Sequence, residues 1–269
     1  SGISEVYFEG AAPVLGEYAF GISKGEQKLA MLYYRDWMQG WNAPSYEGYP
    51  TQVYESRYAV GDGYLYYSPI RGQIVGCDEN LTKVTIPARI GEVEIVSISE
   101  TAFQNHAKLE QLTIPVTVTA IPDEAFAGSA LQEIVYEGTM QEWLSINESN
   151  GFHCAERILI QCTDGTIPSD AVYAGTCGDD LRWFYLEDGT LHIEGSGAMQ
   201  DYATSSDNSA EYPPWEFLYS EITAVVFSGN ITYIGQAAFQ WNRRITSVSL
   251  PDSCVEIGRS AFEGCVNLA

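Results

Sequence analysis

The chain has 269 residues, which is long enough for two to three modules with buried cores. Its 36 acidic and 13 basic residues give a formal charge of −23, so it repels phosphate backbones and we expect no nucleic-acid partner. Hydrophobic residues make up 45% of the sequence, which indicates a folded chain. No run of about 18 apolar residues occurs, so we expect no direct membrane insertion.

A repeated spacing, Ile-x-x-x-Ala-Phe, organises the sequence. Its copies span Ile98–Phe103, Ile121–Phe126, Ile234–Phe239 and Ile257–Phe262, with a variant at Leu15–Phe20. Phe103 to Phe126 and Phe239 to Phe262 are each one period of 23 residues. A fixed period of about 20–29 residues is typical of leucine-rich repeats, whose coils are stable only when stacked. We therefore expect the five phenylalanines to stack as interior pillars.

Each coil also contains a short strand with the pattern apolar-x-x-apolar-x-apolar, as in Leu109, Leu112 and Ile114. The last two apolar positions lie on one face of a strand, and the proline that follows ends it. A small polar residue or a thiol comes three residues after each phenylalanine and is expected to bond the backbone of a turn. These residues are His106, Ser129, Asn242 and Cys265.

The clearest copy runs Ile245-Thr-Ser-Val248-Ser-Leu250-Pro251, then Val255-Glu-Ile257-Gly258, then Ala261-Phe262-Glu-Gly-Cys265. It resembles the BspA-like leucine-rich repeats of bacterial surface proteins. The predicted fold is a leucine-rich repeat solenoid, a right-handed β/α superhelix that is strand-rich with little helix. Its parallel β-ladder is interrupted by β-hairpin caps. The resemblance also implies an extracellular or bacterial cell-surface location and adhesion to host matrix proteins and other bacteria.

We predict three domains. Residues 1–56 form a terminal coil with an aromatic cap, residues 57–165 a hairpin lead-in and an array, and residues 166–269 a second lead-in and a truncated array. Gly61-Asp62-Gly63 and Glu187-Asp188-Gly189 are hairpin signals, and Thr139 with Glu142 predicts a capped helix that ends the first array. Residues 163–169 read as a turn-rich linker. Because strand repeats reach both ends, we expect a piece of a longer secreted protein.

The outward strand positions form one candidate partner-binding surface. They are Glu5, Tyr7, Lys83, Thr85, Gln111, Thr113, Glu133, Val135, Ser247 and Ser249. A second candidate is an aromatic platform for a sugar or a peptide at Trp37, Trp41, Tyr46 and Tyr49. The alternative for these aromatics is that they pack over an open solenoid end.

Catalysis finds little support. His106 lies at a repeat position, His192 stands alone on a strand face, and His153 beside Cys154 lacks an orienting partner. Cys154 and Cys162 could bridge a loop in an oxidising compartment, although free thiols are favoured for the six cysteines. We expect no metal and no cofactor. Calcium is the alternative, because several aspartates could supply oxygen ligands, although their spacing does not match an EF-hand. Those acids are Asp62, Asp179, Asp180, Asp201 and Asp207.

Three functions compete. The first is a non-catalytic extracellular module that presents a surface to a protein or glycan, in the manner of an adhesin. The second is a structural spacer of a larger surface protein whose other domains bind. The third is a glycan-active enzyme with paired carboxylates, which lacks any supporting motif. The sequence leaves the ligand and the oligomeric state open.

Overall fold

Short strands joined by turns account for most of the fold. The computed structural model describes residues 3–16, 19–20, 30–146, 152–153, 157–203 and 211–269. Packing divides the chain into two units, Ser1–Leu131 (unit 1) and Gln132–Ala269 (unit 2). The expected strand-rich architecture with little helix is confirmed, because one six-residue α-helix and two short 3₁₀ helices are the helical segments of the described ranges. The three-domain division at residues 56/57 and 165/166 stays a prediction.

Eleven strands belong to unit 1, together with a 3₁₀ helix at Asp123–Phe126. The strands are β1 (Glu5–Phe8), β2 (Met31–Arg35), β3 (Ser45–Tyr46), β4 (Tyr49–Val60), β5 (Gly63–Ser68), β6 (Gln73–Cys77), β7 (Lys83–Thr85), β8 (Arg89–Ile90), β9 (Val93–Glu94), β10 (Ser97–Ile98) and β11 (Gln111–Ile114).

The first sheet of unit 1 is mixed. Strands β1, β2 and β4 run parallel, β4–β5–β6 form an antiparallel meander, and β10 pairs with β6 in parallel. The predicted hairpin is confirmed, since Val60 pairs with Gly63 across a turn in which Gly61 has φ 52°. Asp78 fastens this hairpin, because its carboxylate accepts the Tyr64 amide at 2.9 Å and the Tyr66 hydroxyl at 2.5 Å.

The coils of unit 1 follow this sheet. Strands β7 and β11 pair in parallel, and β8 and β9 form a hairpin across Gly91-Glu92. Phe103 stacks on Phe126 with ring centroids 6.0 Å apart and planes 17° apart. Since Ile98, Ala102, Ile121 and Ala125 are also buried, the repeat positions form the interior as predicted.

Ten strands, the α-helix and a second 3₁₀ helix, Glu216–Leu218, make up unit 2. The helix is α1 (Met140–Ser145), and the strands are β12 (Glu133–Tyr136), β13 (Phe152–His153), β14 (Leu159–Cys162), β15 (Gly165–Ile167), β16 (Ala171–Gly178), β17 (Leu181–Leu186), β18 (Thr190–Ala198), β19 (Ala224–Ile234), β20 (Ser247–Ser249) and β21 (Glu256–Ile257).

Helix α1 begins where the sequence predicts it. The Thr139 side chain accepts the Glu142 amide while the Glu142 carboxylate accepts the Thr139 amide, so the capping box is complete. The segment expected as a turn-rich linker over residues 163–169 contains turns and also the short strand β15, which pairs with β14 antiparallel and buries Ile167.

The main sheet of unit 2 begins as an antiparallel meander of β16, β17 and β18 and continues in parallel through β19 and β20. Its core contains Trp183, Trp215 and Phe239, all completely buried. Trp215 and Leu218 are both buried in this core, whereas Phe217 is not. Phe217 is 49% exposed, because it points outward from the short 3₁₀ helix and meets Tyr173 edge-on.

The predicted pillar of five phenylalanines is only partly correct. Phe103–Phe126 and Phe239–Phe262 are stacked pairs within their own units, the second with centroids 5.2 Å apart and planes 6° apart. Phe20 instead meets Phe8 and Tyr49 edge-on in the cluster under β1, β2 and β4. Glu17 and Tyr18 of that variant coil lie outside the described residues.

Candidate binding surfaces

The outward strand positions of unit 1 lie side by side as the repeat predicts. In the parallel register of β7 and β11, Lys83 is opposite Gln111 and Thr85 is opposite Thr113. All four are exposed or half-buried, whereas Val84 and Leu112 between them are buried. The four side chains form a small polar surface without a cavity or an aromatic ring.

The corresponding positions of unit 2 lie on two separate strands. On β12, Glu133 and Val135 are half-buried, and Glu133 accepts the Gln161 side-chain amide at 2.5 Å. On β20, Ser247 and Ser249 are exposed beside Ala224 and Val226 of β19. These positions are therefore outward, but they carry no chemistry that selects a ligand.

The aromatic platform is divided by the structure. Trp41 and Tyr49 are only 9% and 7% exposed, so they have no ring face to offer a ligand. Trp41 donates to the Gly10 carbonyl at 3.0 Å, and Tyr46 donates to the Pro13 carbonyl at 2.9 Å. These three pack beneath the sheet with Leu32 and Tyr34. That they cover an open solenoid end stays a prediction.

Trp37 lies on the opposite side of the sheet, where it joins Tyr7. The outward residues of β1, β2 and β4 and their neighbours form one surface, which we call the aromatic face. It consists of Tyr7, Tyr33, Arg35, Trp37, Tyr54, Arg57 and Tyr64.

One end of the aromatic face is built from three tyrosines. The parallel register places Tyr7 next to Tyr33, and the two rings stack with centroids 4.6 Å apart and planes 10° apart. Tyr54 meets Tyr7 edge-on at 5.4 Å. Tyr7 is 56% exposed, although its neighbours Val6 and Phe8 pack into the core below. Alternation of side chains along β1 thus exposes the Tyr7 ring to solvent next to the rings of Tyr33 and Tyr54.

The other end interleaves rings with guanidinium groups. Arg35 lies 5.7 Å from the Tyr54 ring and 5.8 Å from the Trp37 ring, and it also pairs with Glu55 at 3.2 Å. Arg57 lies 5.8 Å from the Trp37 ring and 4.4 Å from the Tyr64 ring. Cations over ring faces attract the electron-rich π-systems, so the side chains hold one another in place.

Carboxylates surround the tyrosines. Burial, followed by the negative charge of Glu5, raises the pKa of Tyr33. Burial also raises the pKa of Tyr54, where the charges of Glu55 and Glu9 add to the effect and Arg35 opposes it. The phenols of Tyr33 and Tyr54 therefore remain neutral at physiological pH.

Sequence reasoning missed Tyr33, Tyr54 and both arginines of this face. The segment around β2 reads as a strand that is apolar on both sides, and Tyr33 is one of its residues. Its outward direction follows from the parallel pairing of β1 with β2, which no local pattern reveals. The available signal was Tyr7 itself, an aromatic residue at an outward repeat position.

The described residues offer no catalytic arrangement among the candidates. The buried His106 ring accepts the Leu109 amide at Nδ1 and lies 3.0 Å from the Asp78 carbonyl at Nε2, so it acts within a turn. His192 is half-buried between Phe184 and Val226 in the sheet. Cys154 and the side chain of His153 lie outside the described residues, so that pair stays a prediction. Cys162 is a free thiol, so the bridge from Cys162 to Cys154 is not formed.

The thiols of Cys77, Cys162 and Cys177 are poor nucleophiles. Burial, together with the charge of Asp78, raises the pKa of Cys77 to about 12. Burial and the charge of Asp164 raise the pKa of Cys162 to about 12 despite Arg182, and burial raises the pKa of Cys177 as well. Because the thiolate is the reactive form, these thiols are inert at neutral pH.

The acids considered for calcium are dispersed. Asp201 accepts the Tyr233 hydroxyl at 2.7 Å and the Gln236 amide at 2.8 Å, while Asp179 and Asp180 line a polar cavity of about 310 Å³. Asp207 lies outside the described residues. Among the residues with described positions, no three His, Cys, Asp or Glu side chains are grouped to hold a metal ion.

Comparison with protein families identifies the repeat. A model of the BspA-type leucine-rich repeat region matches residues 75–168 and 203–269 in six copies and indicates no catalytic family. A search of curated proteins found no match. Within the described residues, no helix has both the length and the apolar character needed to cross a membrane.

Several solved structures are similar to this chain. A leucine-rich repeat protein from Eubacterium ventriosum is 28% identical over 34% of this chain and 23% of its own length, with a TM-score of 0.31. A leucine-rich cell surface protein from Faecalibacterium prausnitzii is 18% identical over 79% of this chain and 53% of its own, with a TM-score of 0.27. The T. pallidum leucine-rich repeat protein is 17% identical over 76% and 86%, with a TM-score of 0.24. The chain thus spans about a quarter and about half of the first two structures.

Proposed function

The chain belongs to the BspA-type leucine-rich repeat family, and from that premise we propose that it is a non-catalytic binding module outside the bacterial cell. The aromatic face of unit 1 receives a protein or glycan partner, in the manner of an adhesin. No cofactor or metal takes part, and neither nucleic acid nor membrane insertion is involved, since the charge of −23 repels anionic surfaces.

The aromatic face is the observation that carries this proposal. Tyr, Trp and Arg are the residue types that most often dominate binding energy at interfaces. Here they form a continuous outward surface, fixed by ring stacking between Tyr7 and Tyr33 and by the position of Arg35 between Tyr54 and Trp37. Prearranged side chains lose little conformational freedom on binding, which favours affinity.

The solenoid arrangement supports display. We propose a right-handed superhelix in which the hairpins of β4–β5 and β17–β18 act as caps that cover the first coil of each array. Caps of this kind prevent stacking between molecules and leave the outward strand surfaces free. The polar positions of β7 and β11 would then flank a partner without selecting it.

A binding panel of matrix proteins, bacterial surface proteins and glycans tests the proposal with Tyr7→Ala and Arg57→Ala. Both side chains are exposed, so the variants should keep the wild-type circular dichroism and lose at least tenfold in affinity for any ligand of this face. Tyr58→Ala is the matched control, because Tyr58 is the next residue on β4 and points to the other side. Binding that survives both variants would show that the aromatic face is not the site.

The spacer remains the second candidate, and one observation favours it. Thr85, Thr113, Ser247 and Ser249 give the strand surfaces of both units small polar side chains, which offer little contact area. A panel in which no probe binds the wild-type chain would support this alternative.

A further inference from the structure

We propose that the tyrosine end of the aromatic face recognises a cationic partner, namely a lysine- or arginine-bearing segment of another protein. This inference rests on the proposed function and specifies the chemistry of the ligand. The tyrosine end is defined by Tyr7, Tyr33 and Tyr54, with Glu5, Glu9 and Glu55 around them.

A ring face is available at this end. Tyr33 covers one face of the Tyr7 ring, and Tyr54 approaches Tyr7 edge-on rather than face-on. With Tyr7 56% exposed, a large part of its ring is open to a partner. An exposed tyrosine face attracts a cation within about 6 Å of its centroid, and the attraction grows as the cation loses water.

The charges at this end have the sign that a cation requires. Glu5 lies two residues before Tyr7 on β1, so strand alternation turns both side chains to the same face, and Glu9 lies two residues after Tyr7, just beyond the end of β1; both carboxylates are exposed. Carboxylates next to aromatic faces combine Coulomb attraction with cation–π attraction. A protein of charge −23 also accelerates the approach of a basic partner over a neutral or acidic one.

The same surface shows this chemistry satisfied internally. At the Trp37 end, Arg35 and Arg57 lie over the rings of Trp37, Tyr54 and Tyr64. Among the described residues, no guanidinium or ammonium group lies over the ring of Tyr7 or Tyr33, although Glu5 lies two residues from Tyr7 on the same strand. A guanidinium or ammonium from a partner would extend the alternation of rings and cations by one step, toward the edge strand β1.

A neutral glycan fits this end less well. Stacked sugars use ring faces, but they gain nothing from Glu5 and Glu9. An acidic glycan would be repelled by both residues. The position of the carboxylates therefore favours a basic segment over a saccharide.

The test uses the full chain and a labelled decapeptide of alternating Lys and Thr, with its lysine-acetylated form as the uncharged control. Fluorescence anisotropy gives Kd at two salt concentrations. Tyr7→Ala and Tyr7→Leu should each raise Kd about tenfold, or about 1.4 kcal/mol. Leu keeps apolar bulk and removes the π face, so an equal loss identifies cation–π attraction. Tyr212→Ala, which removes a tyrosine of 55% exposure from unit 2, should leave Kd within twofold.

The role of the carboxylates is tested with two double variants that carry the same net charge. Glu5→Gln with Glu9→Gln should raise Kd at least fivefold and weaken its salt dependence, whereas Glu79→Gln with Glu110→Gln, two exposed acids elsewhere in unit 1, should leave Kd within twofold. Equal effects of the two double variants would mean diffuse attraction and overturn the inference. So would undiminished binding of the acetylated peptide, or the absence of any binding.

The outcomes also separate this inference from the proposed function. If a neutral hexasaccharide of glucose or N-acetylglucosamine binds, loses affinity in Tyr7→Ala and is insensitive to salt, the face binds glycans and the cationic partner is wrong. If matrix-protein binding depends on Arg57 but not on Glu5 and Glu9, the proposed function stands without this inference. If no probe depends on Tyr7 or Arg57, both fail.

Discussion

The turns behind the stacked phenylalanines obey the same backbone rule in unit 1 and unit 2, but they use different side chains. The Phe103 amide donates to the Ala125 carbonyl at 3.1 Å, and the Phe239 amide donates to the Ala261 carbonyl at 2.8 Å. In each coil, the residue two positions after the phenylalanine has a left-handed backbone. These residues are Asn105 (φ 56°), Gly128 (69°), Trp241 (66°) and Gly264 (78°).

The next residue in each coil has a different side chain, and each of these side chains hydrogen-bonds a backbone group. His106 accepts the Leu109 amide at 3.0 Å, Ser129 accepts the Leu131 amide at 3.4 Å, and Asn242 accepts the Arg244 amide at 3.2 Å. Cys265 instead donates to the Phe239 carbonyl at 3.2 Å. The comparison teaches that this position selects for a group that satisfies a turn, and that the phenylalanine stack is the part common to both units.

The largest expected effect on stability comes from replacing one stacked phenylalanine in each unit by alanine. Phe239 stacks on both Trp215 (5.3 Å) and Phe262 (5.2 Å) and meets Phe227 edge-on, whereas Phe103 has one recorded ring partner, Phe126. Phe239→Ala should therefore lower the free energy of unfolding by about 4–5 kcal/mol and Phe103→Ala by about 3 kcal/mol. Urea unfolding followed by circular dichroism measures both.

Phe217→Ala is the control for these variants, because Phe217 is 49% exposed and should lose less than about 1 kcal/mol. Equal losses for Phe239→Ala and Phe103→Ala would show that the extra rings around Phe239 add no stability. The two stacks would then differ in geometry but not in their contribution to stability.

Replacing His106, three residues after Phe103, gives the next largest effect. His106→Ala leaves the buried Leu109 amide without its acceptor and removes the Nε2 contact with the Asp78 carbonyl, so unfolding should become easier by about 2 kcal/mol. His106→Asn copies the residue of unit 2 and should recover about half of this loss. Hydrogen exchange at the Leu109 amide should be fastest in the Ala variant. If Asn and Ala behaved alike, the position would require the imidazole rather than an acceptor.

Much of this fold could be read from the sequence, because the repeat fixes both period and direction. The spacing Ile-x-x-x-Ala-Phe identifies buried positions in both units, except for Ile257 of the last copy, which is 49% exposed, and Thr139 with Glu142 identifies α1. Segments without a period were harder. Tyr202 is completely buried in a stretch that reads as a polar loop, since it packs edge-on to Trp215, which is distant in the sequence.

The candidate site was predictable only in part for a related reason. Tyr7 follows from the repeat, but Tyr33, Tyr54 and Arg35 become its neighbours through the parallel pairing of β1, β2 and β4. Composition also misled, since Trp37 and Trp41 look equivalent in sequence although the chain turns between them. Trp41 enters the cluster with Leu32 and Tyr34, and Trp37 reaches the outer face.

Glycines at the left-handed position should give a smaller effect. A Cβ on Gly264 would lie 2.4 Å from the Trp241 ring, and a Cβ on Gly128 would lie 2.5 Å from the Asn105 side-chain oxygen. Gly264→Ala and Gly128→Ala should each lose about 1–2 kcal/mol, measured as a fall in the urea midpoint, because strain at positive φ adds to the contact. In the double variant Trp241→Ala with Gly264→Ala, only the φ contribution should remain. Full additivity of the two changes would argue against the contact.

The smallest effect concerns a tyrosine–aspartate pair found in each unit. The hydrogen bond to Asp78 and then burial raise the pKa of Tyr66 to about 12, and the hydrogen bond to Asp201 and then burial do the same for Tyr233. An unfolded tyrosine titrates near about 10, so each pair contributes stability that is complete below that pH and is lost as the pH rises toward 12. Tyr66→Phe and Tyr233→Phe should therefore show a smaller fall in urea midpoint from pH 9 to pH 11 than the wild type.

Tyr212→Phe, at an exposed site, should keep the wild-type fall. A reduced fall in only one of the two pair variants would break the equivalence of the units at this position. Because both aspartates also accept a backbone amide, from Tyr64 and from Gln236, the aspartate would then serve as a turn acceptor in one unit and as a partner of the phenol in the other. Both units would still share the backbone hydrogen bond to the aspartate, and they would differ only in the role of the tyrosine.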